Sequence, residues 1–432
     1  MTDMFTTTEQ MLTFFEERKN IGIKLGLERI KLLLELLDNP QNKIKAIHVA
    51  GTNGKGSTIA YLKNALMYNG YKVGVYSSPS LDGITGHIFL NDHKITVEEF
   101  LRLFNILYPL IQQLDASGDH PTEYEILTAL AFMFFSEHVD IALIETAMGG
   151  RFDTTNCFQP ILSIITNIDK DHMGFLGQSI KEIAYHKAGI IKEQIPVIVG
   201  DVGEEASAVI REEAEVKKAK IYQLHEDFHY RSIMHNNDTQ TFTWVDNDDQ
   251  TMKVSIHMYG VHQVKNAALA LMSIRLLMKL GYEIDREKVF IGLENTFVPG
   301  RFEVITKEPT IILDGAHNLA GMQTFLDTVT NRFQNKDKHL IFAGFKDKEL
   351  QKMLQLLLDG YFSTITVTSF EHERAACAAY LYSLTDLKYV RQVEDWKEAT
   401  SNIYKHSANE NEAYFITGSL HFIAMVRNHL LK

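Results

Sequence analysis

Short apolar runs rich in β-branched residues alternate along this chain with polar turns and amphipathic stretches. Ile44 to Ala50 predicts a strand, Gly51 to Gly56 a loop, and Ser57 to Asn69 a helix closed by Gly70 just past its end. Val73 to Ser78, Val139 to Glu145 and Ile161 to Ile168 predict further strands, each running into a polar turn. Near-continuous apolar strands alternating with helices predict a parallel sheet covered on both faces.

Between Asp201 and Tyr259 the pattern changes. A charged helical stretch, Glu204 to Lys220, precedes an alternating segment with a turn at Asp246 to Gln250, which predicts a hairpin or small antiparallel edge on the first domain. From Thr310 the strand–helix rhythm restarts, with strands expected at Thr310 to Asp314, His339 to Ala343, Phe362 to Thr368 and Ala413 to Thr417. The intervening Asn295 to Gly300 has the composition of a hinge. Two α/β domains, 1–297 and 298–432, are the expectation.

Composition narrows the function more than the fold. The 432 residues suit two or three domains, and 45% hydrophobic with 23% charged residues excludes intrinsic disorder. Lys+Arg 43 against Asp+Glu 55 leaves a net charge of −12 with no basic block, which argues against a general nucleic-acid or anionic-membrane role. Two cysteines, Cys157 and Cys377, exclude a disulfide framework and suit a reducing compartment. The first ten residues do not read as a secretory signal. The longest apolar run, near Leu127 to Phe135, falls well short of the roughly 18 residues of a membrane span. A cytoplasmic protein, monomeric by default, is expected.

Gly51-Thr52-Asn53-Gly54-Lys55-Gly56-Ser57 lies between an expected strand and helix, where glycines turn backbone N–H groups toward a polyphosphate and the helix dipole adds positive potential. Lys55 would reach the terminal phosphates. The loop departs from the common G-x-x-x-x-G-K-[ST] form, with Val49 at the first glycine position and Gly56 directly after the lysine. Ligands of open α/β sheets bind beyond the carboxyl ends of strands, where this sequence puts Ser78, Glu145, Asp169, Asp171 and His172. A hydroxyl, a carboxylate and an imidazole beside a triphosphate form a shell for magnesium; read singly, Glu145 is a solvated strand end and His172 an ordinary loop histidine.

Lys187 is unusual. Ser179 to Glu182 is a capping-box start, and Ile180, Ile183, Ala184 and Lys187 fall on one helix face. A lysine there must snorkel, pair with an acid, or lose its charge, and snorkelling is the ordinary outcome. In the second domain, Asp314-Gly315-Ala316-His317-Asn318 follows a strand, Arg301 lies in the hinge, and Gly418-Ser419 opens the last helix as a second backbone anion site. Met148, Met173 and Phe132 to Phe135 read as core, and the two cysteines as inert.

These pieces occur in one order: HVAGTNGKGST, YSSP, PTEYEILTALAF, IETAMGGRFDTTN, ITNIDKDHMGFLG, KAGIIK, GVHQVKNAALAL, PGRFEVI, LDGAHN and TGSLHFI. The chain thereby resembles, nearly end to end, the folylpolyglutamate synthase/dihydrofolate synthase family, a branch of the Mur-ligase-like ATP-dependent amide ligases. The resemblance implies an N-terminal P-loop α/β domain, a C-terminal Rossmann-like α/β domain and catalysis in the cleft between them. It implies ATP contacts at Lys55, Asn266, Arg301 and Asp314, magnesium ligands at Ser78, Glu145 and His172, and a carbamylated lysine at Lys187. It implies that His317 and Ser419 face the incoming glutamate, with Lys55, Lys187 and His317 as the catalytic set. The reaction implied is ligation of L-glutamate to folates through an acyl phosphate, in folate biosynthesis and polyglutamylation; the rival reading is a Mur-type ligase with another carboxylate acceptor.

One stretch departs from the family. Where it commonly carries an arginine and then an Asn-Glu-Arg segment, this chain has Ser80-Leu81-Asp82-Gly83-Ile84-Thr85-Gly86-His87, without either arginine. Binding of the pteroyl substrate is therefore expected to be weaker than with both arginines, and tighter as pH falls and His87 charges. If that loop does not hold the pteroyl group, the segment Thr122 to Glu125 is the next candidate, with Glu125 as a substrate contact.

Overall fold

A computed structural model describes residues 5–80, 83–236, 238–248, 250–385, 389–406 and 411–431. It divides into a larger unit, Met1–Asn236, Thr241–Ile256 and Val264–Thr296, and a smaller one, Asn237–Gln240, His257–Gln263 and Phe297–Lys432.

The larger unit is built on an eight-stranded sheet. Its strands are β1 (Ala46–Ala50), β2 (Val73–Tyr76), β3 (Ile88–Leu90), β4 (His93–Lys94), β5 (Ile141–Glu145), β6 (Leu162–Asn167), β7 (Val197–Asp201) and β8 (Ile221–Gln223), in the order β4-β3-β2-β5-β1-β6-β7-β8. From β2 to β8 the pairing is parallel, while β3 and β4 add an antiparallel edge. The antiparallel edge is thus at 88–94. The alternating segment after Asp201 forms its own three-stranded sheet, β9 (Phe228–His235), β10 (Gln240–Asp246) and β11 (Thr251–Ile256), in the order β11-β10-β9. Of the two expected forms it is the hairpin, joined across the 246–250 turn, and not an added edge: these strands pair with one another and leave β8 at the sheet's edge.

The central strands β1, β5 and β6 are buried almost throughout, as their unbroken apolar runs require. On one face lies the helix Glu123–His138, in which every residue from Glu125 to Phe135 is buried. An element apolar all round is an interior helix. The Thr122–Glu125 capping box gives this run a defined start, and its leucine, alanine and methionine content favours the helix. Helices Thr8–Lys19, Glu28–Leu36 and Val97–Ser117 pack around it. Phe132 to Phe135 and, in part, Met148 are core as expected.

The smaller unit holds a six-stranded sheet of β12 (Glu303–Lys307), β13 (Thr310–Leu313), β14 (Asp337–Phe342), β15 (Thr364–Ser369), β16 (Val390–Asp395) and β17 (Glu412–Thr417). The order is β12-β13-β17-β14-β15-β16, with only β12 antiparallel to its neighbour. Phe302, Phe325, Phe342 and Phe415 fill the core on one face, and Trp396 and Phe422 anchor the other. Among the described residues, no helix is long and apolar enough to cross a membrane.

Candidate functional site

The loop 51–54 leaves the carboxyl end of β1 with β5 and β6 on either side, so residues ending those strands flank it by topology. Registers align the ends: Val49 sits opposite Glu145, and Ala50 opposite Ile165. Loop and β6 are stitched together. Thr52 N donates to Asn167 O (3.0 Å), Asn53 N to Asn167 Oδ1 (2.7 Å), and Thr166 Oγ1 to Asn53 O (2.6 Å). The helix Lys55–Tyr68 starts at once, from a Gly54 with φ +82°, where a Cβ would also collide with the Asn266 amide. Gly54 is therefore required twice, and Asn266 is placed against the loop.

Lys55 folds over its own loop. Its Nζ donates to Gly51 O (3.0 Å) and Thr52 O (3.4 Å) and lies 3.9 Å from Glu145 Oε1. Glu145 is 5% exposed, so a carboxylate at this strand end is held beside a lysine and the start of a helix, and the solvated-terminus reading fails. Ser57 is also buried. Ser78 follows β2, the neighbour of β5, so its strand end lies on the same edge. His172 follows β6 in a left-handed conformation (φ +51°), its side chain nearly half exposed and its Nε2 4.0 Å from Asp171 Oδ2. Asp171 is far more buried, and its Oδ1 accepts from His172 N (2.8 Å).

Lys187 does not snorkel. It is 4% exposed on the helix Ile180–Ala188, beside the buried Ile183 and Ala184. A Cβ on Gly150 would press on the carbonyls of His186 and Lys187, so this helix end packs tightly against the 149–151 turn. Burial, then the nearby Lys55 charge, pulls the Lys187 ammonium down to about 7, with Asp171 and Asp153 opposing. A substantial neutral fraction near pH 7 follows.

In the smaller unit, Asp314 ends the β13 run. Its Oδ1 accepts from Ala316 N and its Oδ2 from Phe302 N, both at 2.9 Å. Burial raises its carboxyl to about 6, against the lowering influence of Arg301. His317 Nδ1 meets Gly315 O at 2.8 Å; a carbonyl can only accept, so Nδ1 carries the proton. Ser419 precedes the helix Leu420–Leu430, is 1% exposed, and its Oγ has no hydrogen-bond partner, an unfilled acceptor and donor at a helix N-terminus.

Comparison with known proteins gives the family. The Mur ligase middle domain matches residues 49–274, and the Mur ligase glutamate ligase domain matches 300–420. A Bacillus subtilis dihydrofolate synthase/folylpolyglutamate synthase is 37% identical over 438 residues, covering 99% of this chain and 100% of the relative. The chain belongs to the dihydrofolate synthase/folylpolyglutamate synthase family. Mycobacterium tuberculosis folylpolyglutamate synthase complexed with ADP and AMPPCP superposes with a TM-score of 0.89 at 26% identity, over 98% of each chain. E. coli FolC in complex with DHPP and ADP gives 0.87 at 25% identity, over 99% of each.

Against that family pattern two of the expected substrate-side residues are already engaged. Glu125 is fully buried: its Oε2 accepts from Thr122 N (2.7 Å), and Arg29 Nη2 lies 3.1 Å from its Oε1. Its carboxylate caps a helix and pairs with Arg29 instead of standing open at the surface. His87 is not a loop charge either. Its Nδ1 donates to Ser77 O (2.8 Å), Ser77 N bonds back to His87 O, and burial holds the ring below its ordinary pKa. Of the stretch expected to form this loop, Leu81 and Asp82 lie outside the described residues.

Sequence reasoning missed Arg29 and Asp153. Asp153 is buried, accepts from Met148 N (2.8 Å), and receives the Thr155 hydroxyl (2.6 Å), which in turn meets His48 Nε2 (2.9 Å). A buried acid in a Gly-Gly-Arg-Phe-Asp turn was the available signal.

Proposed function

We propose that this protein is an ATP-dependent amide ligase that joins L-glutamate to a folate or pteroate carboxylate through an acyl phosphate. The carrying observation is the loop 51–54, fastened to β6 and running into a helix start, with Lys55 beside the buried Glu145. Residues 1–297 would bind ATP, and residues 298–432 the amino acid, in keeping with the glutamate ligase domain matched over 300–420.

A carboxylate is a poor acyl donor because oxide would have to leave. Transfer of the γ-phosphoryl group makes inorganic phosphate the leaving group, and the glutamate amine then displaces it through a tetrahedral intermediate. Backbone N–H groups of Gly51, Gly54 and Gly56, with the Ser57 hydroxyl, would cradle the phosphates, while Thr52 and Asn53, whose N–H groups are already given to Asn167, would hold the loop in shape. Lys55 is already poised over that loop and would swing onto the terminal phosphate oxygens. Asn266, packed against Gly54, and Arg301 and Asp314 would hold the nucleotide.

Ser78, Glu145 and His172 would hold magnesium. The donor set fits, since a buried carboxylate faces the helix start: a Cβ on Gly56 would lie 3.9 Å from Glu145 Oε2. Magnesium would supply charge neutralisation on the phosphates. Lys187 would be a carbamate, because carbon dioxide reacts with the neutral amine that burial favours, and the anionic product suits a place near Lys55 and the metal. His317, its Nδ1 proton fixed on the Gly315 carbonyl, would face the glutamate amine, and the unpartnered Ser419 hydroxyl would meet a glutamate carboxylate. The protein would work as a cytoplasmic monomer, its two cysteines free.

The test is phosphate release with ATP and L-glutamate against dihydropteroate and tetrahydrofolate in parallel, with Lys55→Ala as control. Release that needs glutamate and one of these acceptors, and vanishes in Lys55→Ala, is expected. No acceptor-dependent release with either would remove the proposal.

A further inference from the structure

Arg301 lies in a turn that the chain holds in an unfavourable shape. Gly300 has φ +68°, and Phe302, which carries a Cβ, has φ +50°. Strained backbone of this kind persists where surrounding contacts over-determine it. Here they do so from two sides.

On one side Phe302 N donates to Asp314 Oδ2 (2.9 Å) and Gly315 N to Gly300 O (2.9 Å). The Phe302 ring is buried against Phe325, Phe333 and Phe415. On the other side Gly300 N donates to Glu303 Oε2 (2.8 Å). Glu303 is 5% exposed, and its partner comes from 124 residues away: Arg427 Nε reaches Oε1 at 2.9 Å and Oε2 at 3.0 Å. Arg427 belongs to the terminal helix Leu420–Leu430, whose Ile423 abuts Gly300 so closely that a Cβ there would clash. The Arg301 guanidinium emerges beside the Asp314 loop, since a Cβ on Gly315 would lie 3.1 Å from Arg301 Nη1.

We infer that the pair formed by the buried Glu303 and the partly exposed Arg427 is a positioning device for Arg301, fastening the 300–302 turn to the terminal helix so that the guanidinium is pre-set for the nucleotide. The inference rests on the reading of Arg301 as a nucleotide contact. A buried ion pair is weak as a source of stability, and its better-attested use is to select one geometry. The same helix begins at Ser419, so Arg427 also ties the Arg301 turn to the helix start offered to glutamate.

Arg427→Met keeps the stem volume and removes the Nε–H that both Glu303 oxygens share. Glu303→Gln/Arg427→Met removes both charges, so that no buried carboxylate is left alone should the single variant fold poorly. Each variant is assayed for ATP KM, kcat and glutamate KM, alongside Arg301→Ala and the Arg301→Ala/Arg427→Met combination. The expected result is an ATP KM raised about tenfold with kcat much less affected, largely restored in Arg427→Lys. Adding Arg427→Met to Arg301→Ala should raise ATP KM no further, because both act through one guanidinium. An unchanged ATP KM in Arg301→Ala would overturn the nucleotide reading and this inference with it. A raised KM in Arg301→Ala but not in the Glu303 and Arg427 variants, or additive effects in the combination, would overturn the positioning role alone.

Discussion

Replacing Lys187 with methionine tests whether burial, rather than a partner, governs this side chain. Methionine has nearly the same stem and no charge, so packing is kept while the ammonium is removed. In the folded protein Lys187 sits at about 7, below its ordinary 10.5, so folding favours the neutral amine. Its destabilising contribution is therefore absent above the unfolded value, grows as pH falls, and is complete below about 7. The gap corresponds to an upper figure on the order of 5 kcal/mol. Urea unfolding of both proteins in carbon-dioxide-free buffers between pH 6 and 10 reads it directly. The methionine variant should be the more stable below pH 7, with the difference shrinking toward the alkaline end. Bicarbonate should restore part of the wild-type loss by converting the amine to a carbamate and should leave the variant unmoved. Parallel stability curves, with no response to bicarbonate in either protein, would refute the reasoning.

Glu145→Gln keeps the size of the side chain and removes its charge. It should shift the magnesium dependence of phosphate release upward by about tenfold or more, and an unaltered titration would leave Glu145 as a buried neighbour of Lys55 only. Because burial holds His87 below its ordinary pKa, outweighing the opposing bond to the Ser77 carbonyl, the acceptor KM should not fall between pH 8 and 6 through this residue. A fall that disappears in His87→Asn would show that the ring charges in place. Arg29→Met leaves the buried Glu125 unpaired and should cost on the order of 3 kcal/mol in urea unfolding, more than Glu125→Gln, which still has an oxygen for the Thr122 cap.

What could be read from sequence was whatever local chemistry determines. The phosphate loop follows from glycines between an apolar strand and a helix, and the Ser179–Glu182 capping box forms as its residue types require. With the exception of β7, which is buried yet was not anticipated, strand ends of the parallel core were visible because both faces are covered, so apolarity is continuous until the chain leaves the sheet. Edge strands were not. β3 and β4 are three and two residues long, and β16 exposes most of its side chains, so none carries the apolar run that marked the interior. The lysine face of Ile180–Ala188 was legible as a stripe, yet the burial of Lys187 depends on what packs against that helix, which no periodicity reports.

The same distinction separates residues that do chemistry from those that hold them. Lys55, Glu145, Asp314 and Ser419 announce themselves as polar groups at turns after strands. The partners that decide how they behave lie elsewhere: Arg29 reaches Glu125 across 96 residues, and Arg427 reaches Glu303 across 124. Each partner reads locally as an ordinary helix-surface arginine, because helical charge is common and usually solvated. Their burial is set by which helix the sheet brings alongside, so it becomes visible only once strand order is known. That is why sequence could not show that Glu125 caps a helix and pairs with Arg29, and why His87 looked like a switchable charge and proved a fixed donor. In both, a backbone group within ten residues had already claimed the polar atom: Thr122 N for Glu125, and the Ser77 carbonyl for His87. A polar side chain in a candidate site is available to a ligand only after its own backbone has been satisfied. By that criterion the Ser419 hydroxyl, buried and without a hydrogen-bond partner, is the stronger candidate for direct substrate contact.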